Sequence, residues 1–279
     1  MSPFIISGFA DEIDEKLDVQ MDLLDTLPVK YIEARGIDGK NISKITTDEA
    51  IIIKKRLDDR GFKVSALGSP IGKIKITDAF DDELALFSHV LELAKIFETE
   101  YIRIFSFYME DGTQDTHRDE CLRRMSLYAK TAKGHGVTLL HENEKGIYGD
   151  TPERCVDIFR SVDSDILKAT FDPANFIQCG VDVLSAFDML LPYIEYMHIK
   201  DAVADGKVVP AGYGLGNFET ILKKLRDNGF HGFLSLEPHL SAFSGFSDLE
   251  EGDVKLEVGD NKEKFVLAYN SLKKIIDNI

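Results

Sequence analysis

Residues 137–172 read VTLLHENEKGIYGDTPERCVDIFRSVDSDILKATFD, and this stretch decides the fold. It opens on a short apolar run, VTLLHE at 137–142, and closes on another, LKATFD at 167–172. Between them, Thr151-Pro152-Glu153 puts a capping hydroxyl ahead of a proline at a first helical position. Short apolar runs bounded by Gly, Pro and Asp are typical of buried parallel strands, so the stretch reads strand, helix, strand.

The same alternation runs the length of the chain. Further strand candidates lie at 4–8, 29–34, 62–67, 101–106, 194–199 and 233–237. Helical spacing marks 14–27 through Leu17, Met21 and Leu24, and 47–60 through Ala50, Ile51, Ile53 and Leu57, with Gly61 as a stop. Residues 80–97, 118–134, 218–228 and 262–276 behave likewise. Eight strands interleaved with helices favour a closed parallel barrel, the α/β (β/α)8 or TIM barrel, over a doubly wound sheet. A length of 279 residues suggests two domains at about 150 residues each, yet one such barrel uses about 250. No linker or composition break appears, so a single domain spanning 1–279 is expected. The segment 241–260, SAFSGFSDLEEGDVKLEVGD, follows the eighth strand and reads as a lid over the barrel or as a solvated loop.

Bulk properties narrow the function classes. A hydrophobic content of 44% and a charged content of 29% are ordinary for a globular protein. The net charge of −16 weighs against nucleic-acid binding, which draws much of its affinity from cations on phosphate. Cys121, Cys155 and Cys179 form no CxxC pair and read as thiols of a reducing compartment. No run approaches the roughly 20 apolar residues of a membrane span. The opening MSPFIISGFADE places an acidic pair where a signal peptide would continue apolar, so a cytoplasmic location without membrane partners is expected.

Strand side chains alternate between faces. At 137–142, Thr138, Leu140 and Glu142 share one face and Val137, Leu139 and His141 the other. At 167–172 the mixed face carries Lys168, Thr170 and Asp172; in the seventh strand it carries Tyr196, His198 and Lys200; in the eighth, Phe233, Ser235 and Glu237. The purely apolar faces suit contact with helices. Glu142, Asp172, His198 and Glu237 therefore point to the barrel axis at its C-terminal mouth, where active sites of this fold sit. One strand-end carboxylate is ordinarily solvated; four consecutive strand ends with one facing are not explained that way. Crowded carboxylates repel unless a cation binds or some take protons. Three carboxylates and one imidazole suit Mn²⁺ or Mg²⁺ first, with Co²⁺ and Zn²⁺ as alternatives.

Other residues carry two readings. Glu33 and Arg103 share the inward parity and either meet substrate hydroxyls or pair with each other. Lys200 binds a substrate oxygen or phosphate, or is solvated. His239 follows Glu237 by two and lines the mouth, and Glu144 is a substrate contact or a supporting group. His141 faces the helices and reads as structural. Gly212, Gly214 and Gly216 superficially suggest a phosphate loop, but lack the GxGxxG spacing and more readily shape a turn. His117 and Arg118 open the fourth helix near the mouth and either meet an anionic group or are exposed without function.

At this point the chain resembles the xylose isomerase-like TIM barrels, in particular the sugar phosphate isomerase/epimerase family. GFADEI, YIEARGIDG, SALGSPIGKI and YIRIFSF carry the resemblance, followed in order by LLHENE, FDPANF, MHIKDA, PAGYGLGNF and FLSLEPH. It implies one divalent metal ion held by Glu142, Asp172, His198 and Glu237. It also implies that Glu142 and Glu237 move protons at the carbon beside a carbonyl, through an enediolate. The implied activity is that of an isomerase or epimerase on a small sugar, sugar phosphate or polyol-derived ketose; an inosose dehydratase-like lyase is the alternative. An abasic-site endonuclease shares the barrel, but seven histidines and the acidic charge fit it poorly. Ketose epimerases of the group often carry His three residues after the metal Asp. Asn175 stands there and offers an amide to a substrate hydroxyl. Related barrels often form dimers or tetramers, so a homodimer or homotetramer is the expected assembly.

Overall fold

The computed structural model describes residues 3–240 and 259–279. The expectation for 241–258 lies outside the described residues. Eight parallel strands form the barrel: β1 Ile5–Gly8, β2 Tyr31–Ala34, β3 Lys63–Leu67, β4 Tyr101–Ile104, β5 Thr138–Glu142, β6 Leu167–Phe171, β7 Ile194–Ile199 and β8 Phe233–Leu236. Their ladder runs β1-β8-β7-β6-β5-β4-β3-β2, and β1 and β2 are neighbours across the remaining seam, so the barrel is nearly closed.

The helices are α1 Leu17–Asp25, α2 Thr47–Asp59, α3 Asp81–Phe97, α4 Gln114–Ala132, α5 Pro152–Val162, α6 Pro173–Gln178, α7 Val183–Leu190, α8 Phe218–Asp227 and α9 Asn261–Asn278. Local chemistry fixes their starts. Thr46 and Glu49 form a reciprocal capping box on α2, Thr151 caps α5 ahead of Pro152, and Asp260 caps α9. The sixth crossover is split in two. Asp172 caps α6, the chain turns through Gly180 at φ +72°, and Asp182 caps α7. Helix α4 starts at Gln114, earlier than its periodicity indicates, and Arg118 on it pairs with Asp157 of α5 at 2.6 Å.

The facing read from the sequence holds. Leu139 is buried among the helices, while Leu140, Ala66 and Tyr196 pack inside the barrel against Tyr101 and Phe233. This plug underlies the mouth. A polar chain crosses it: Ser7 Oγ lies 2.5 Å from Ser65 Oγ, which lies 2.9 Å from the Tyr196 hydroxyl. His141 points outward, with Nε2 2.9 Å from Ser106 Oγ, and burial lowers its imidazole to about 4. It is a neutral packing residue.

The loop after β7 is organised by one carboxylate. Asp201 accepts backbone N–H groups from Ala202 and Gly216 at Oδ1, both at 2.8 Å, and from Gly212 and Gly214 at Oδ2, at 2.9 and 3.0 Å. A Cβ on Gly214 would lie 2.4 Å from both the Ala202 carbonyl oxygen and Asp201 Oδ1. Gly214→Ala is therefore expected to destabilise the protein by about 1–3 kcal/mol, because backbone has to move. Urea denaturation checks this; an unchanged midpoint would show that the loop is not held so closely.

Candidate functional site

The strand ends bring Glu142, Asp172, His198 and Glu237 together, with one ligand atom from each lying within 4.8 Å of the others. All four are buried. Glu142 ends β5, Asp172 follows β6, His198 lies one residue before the end of β7, and Glu237 follows β8. His198 is the hub. Its Nδ1 lies 3.1 Å from Glu142, 3.4 Å from Glu237 and 3.8 Å from Asp172. Its other nitrogen, Nε2, faces Glu33 at 3.2 Å.

Each carboxylate is tied from outside the set. Glu142 faces Arg103 Nη1 at 3.1 Å and accepts from the Asn175 amide at 3.1 Å. Glu237 accepts from Lys200 at 3.1 Å and from Arg35 at 3.2 Å. Lys200 also lies 2.8 Å from Asp172 Oδ2. Asp172 Oδ1 is occupied by the Asn175 backbone N–H at 2.9 Å. Asn143 pairs with the Asp172 backbone in both directions at 2.9 Å, locking the end of β5 to that of β6.

The charges follow from these neighbours. Burial raises the Glu142 carboxyl, but His198 and Arg103 outweigh it and bring it down to about 2. Burial acts likewise on Glu237, yet Lys200, His198, His239 and Arg35 hold it well below the usual range. Burial disfavours charge on His198, but Glu142 and Glu33 lift its imidazole well above 6.5. Lys200 is likewise lifted against burial by Asp172 and Glu237. Glu142 and Glu237 are thus ionised carboxylates held by protein cations.

The donor set fits a divalent ion. His198 Nδ1 and Asp172 Oδ2 are buried without a hydrogen bond of normal geometry, although ionic partners stand within 4 Å. Glu142, Asp172, His198 and Glu237 would hold the ion, with Glu33 accepting the Nε2–H that leaves the Nδ1 lone pair free. Glu33→Gln is expected to weaken Mn²⁺ binding by about 10–100-fold, measured by isothermal titration. An unchanged affinity would remove Glu33 from that role. A second acidic group, Glu12, Glu237 and His239, also brings ligand atoms within 4.8 Å. There Arg35 already donates to Glu12 at 3.2 Å and to Glu237, so a protein cation stands among these ligands.

Several expectations about substrate contacts change. Glu33 and Arg103 do not pair with each other: Glu33 faces His198, while Arg103 faces Glu142 and donates to the Gly68 carbonyl at 3.1 Å. The Asn175 amide nitrogen donates to Glu142 and, at 2.9 Å, to the Asn143 carbonyl, so it positions Glu142. Lys200 bridges two carboxylates. His239 is half exposed at the rim, in the left-handed region at φ +45°, with its backbone N–H on Glu12 at 2.7 Å. Glu144 meets Lys73 at 3.2 Å.

Sequence reasoning missed Arg35, Asn143 and Glu12. Arg35 lies over the Phe9 ring at 4.4 Å and joins Asp11, Glu12 and Glu237. Its parity with Glu33, two residues earlier, was the available signal. Asn143 stands directly after a ligand, a position that alternation assigns to the wrong face. Burial raises the Glu12 carboxyl to about 7, only partly opposed by Arg35.

A family profile described as xylose isomerase-like TIM barrel matches residues 22–253. The chain is 23% identical over 202 residues to a 3-dehydroshikimate dehydratase of Bacillus anthracis, covering 65% of this chain and 70% of that protein. It is 24% identical over 124 residues to an inosose dehydratase of Clostridium perfringens, covering 38% of this chain and 42% of the relative. A D-tagatose 3-epimerase-like protein superposes with a TM-score of 0.75 at 16% identity, over 100% of this chain and 98% of its own. The IOLI protein with a bound zinc atom superposes with a TM-score of 0.75 at 15% identity, over 100% and 99%. These likenesses to solved structures concern the fold. With its ladder of eight parallel strands, its four clustered residues at the mouth and a profile match across most of its length, the chain belongs to the xylose isomerase-like TIM barrel family.

Proposed function

We propose that this protein is a metal-dependent enzyme that moves a proton at the carbon beside a carbonyl of a small sugar, sugar phosphate or polyol-derived ketose, as an isomerase or epimerase. One observation carries the reading: Glu142 and Glu237 both stand within 3.5 Å of His198 Nδ1, from strands on either side of it in the chain order. A bound divalent ion supplies a Lewis acid that stabilises negative charge on the substrate's oxygens. The chain's own residues do the rest. Glu142, ionised and oriented by Arg103 and Asn175, takes the proton from carbon. Glu237, oriented by Arg35 and Lys200, serves the opposite face. Glu237 takes up a proton from solvent and delivers it to that face, and the return step exchanges the two roles. Three carboxylates and an imidazole suit Mn²⁺ or Mg²⁺, and the zinc-bound neighbour keeps Zn²⁺ among the ions to test.

A lyase on the same scaffold is the second reading, favoured by the dehydratase names of both relatives. Proton removal beside a carbonyl begins either reaction. Metal-loaded protein incubated with a ketose panel in D₂O separates them: an isomerase or epimerase washes deuterium into the substrate, while a dehydratase releases water and a new carbonyl compound. No exchange and no elimination with any of the ions would sink both readings.

Metal loading also has a proton signature. The His198 imidazole is lifted well above 6.5, so without metal it holds its proton through the neutral range. An ion at Nδ1 requires that nitrogen's lone pair. Loading at pH 7 is expected to release close to one proton per ion, and affinity rises about tenfold per pH unit until the raised value is passed. Calorimetry in two buffers of different ionisation enthalpy reads the proton count. Zero release would show that His198 is not a ligand.

A further inference from the structure

We propose that the substrate is electrically neutral, a free keto-sugar or keto-polyol bearing neither phosphate nor carboxylate. The inference rests on the proton-transfer reading above and narrows its substrate class. Two independent arrangements carry it.

The first is the charge balance at the mouth. Among the described residues, every cation that touches the site's carboxylates is already matched. Arg103 faces Glu142, Lys200 bridges Asp172 and Glu237, Arg35 joins Asp11, Glu12 and Glu237, and Lys73 meets Glu144. With Glu33 behind His198, and His198 itself neutral when it holds an ion, the carboxylates outnumber these cations by seven to four. A divalent ion narrows that excess without reversing it. Among the described residues that touch these carboxylates, a phosphate or carboxylate entering here would meet no uncommitted positive charge and would lie against the carboxylates of Glu142, Glu237 and Glu144. Hydroxyl groups instead find carboxylate acceptors, as a polyol requires.

The second is the loop after β7. In barrels of this type, phosphate sites are frequently built from backbone N–H groups in the loops after the seventh and eighth strands. Here that loop supplies such groups from Gly212, Gly214 and Gly216, and all three donate to Asp201. A carboxylate of the chain itself fills the anion nest. The helix after β6 is likewise committed, since the Asp172 side chain accepts the Asn175 N–H.

The test uses the full chain loaded with Mn²⁺. Deuterium uptake from D₂O is followed for fructose, an inosose, fructose 6-phosphate and 3-dehydroshikimate, and inorganic phosphate is titrated by calorimetry. The expected result is a kcat/KM for a neutral compound at least about tenfold above that for either anion, with no saturable phosphate binding at millimolar concentration. Glu144→Gln, which releases Lys73, is expected to bring phosphate binding into the millimolar range. Preference for an anion, equal rates, or saturable phosphate binding by the unaltered protein that is lost in Lys73→Met would overturn the neutral-substrate proposal while leaving the proton-transfer reading intact. Absence of exchange and elimination with every compound, metal being bound, would instead defeat the underlying reading.

Discussion

Glu142→Gln lowers kcat/KM for carbon–hydrogen exchange by about 10²–10⁴-fold at saturating metal, the range lost with a general base. The substitution keeps the size of the side chain and an oxygen on it. What it removes is the ionised oxygen pair that burial would neutralise but His198 and Arg103 keep charged, near 2. An amide cannot take a proton from carbon at neutral pH. Because Glu142 is also one of the proposed ligands, exchange has to be measured across a metal titration. A loss recovered by added metal reflects ligation, and one that persists at saturation reflects proton transfer. Exchange within tenfold of the unaltered protein at saturating metal would remove Glu142 from the role of base. Glu237→Gln is the matched control for the opposite face: a substrate that inverts its configuration needs both groups, whereas one-sided loss points to elimination.

Lys200→Met has the largest expected effect on stability. The ammonium is 5% exposed and lies 2.8 Å from Asp172 and 3.1 Å from Glu237. Removing it leaves two buried carboxylates short of a partner, which costs about 3–5 kcal/mol. A divalent ion answers the same need. In its presence the gap between variant and unaltered protein is expected to narrow by at least about 1 kcal/mol, because the variant binds metal roughly fivefold more tightly and ligand binding adds to folding stability. Urea denaturation with and without Mn²⁺ measures both quantities. A metal-free difference below about 1 kcal/mol, or a gap indifferent to Mn²⁺, would show that Lys200 does not neutralise this pair.

The barrel was legible because its signals are local. The run at 167–172 ends at Asp172, and that residue both caps α6 and contributes to the site, so one residue marks the end of a strand and the start of a helix. Period-two alternation placed Glu142, Asp172, His198 and Glu237 on one face, and it placed His141 on the other, where it meets Ser106. The glycines after β7 read correctly as turn residues, but the carboxylate that gathers their N–H groups was not singled out. The break of the sixth crossover into two helices was not foreseen, as α6 stops after six residues and the chain turns through Gly180 at φ +72°.

The sequence by itself determined the order of elements, the strand ends that carry Glu142, Asp172, His198 and Glu237 and the face on which they stand, since backbone periodicity and turn chemistry act between residues close in the chain. Tertiary structure alone decided which charge answers which. Arg35 reaches Glu237 across 202 positions and His198 meets Glu33 across 165, while Arg103 turned to Glu142 instead of the Glu33 that parity offered it. Ion pairing depends on separations of a few ångströms between side chains from different strands, and no periodicity along one strand encodes them. Those choices settle whether a cation at the mouth is free for a substrate or already held by the protein.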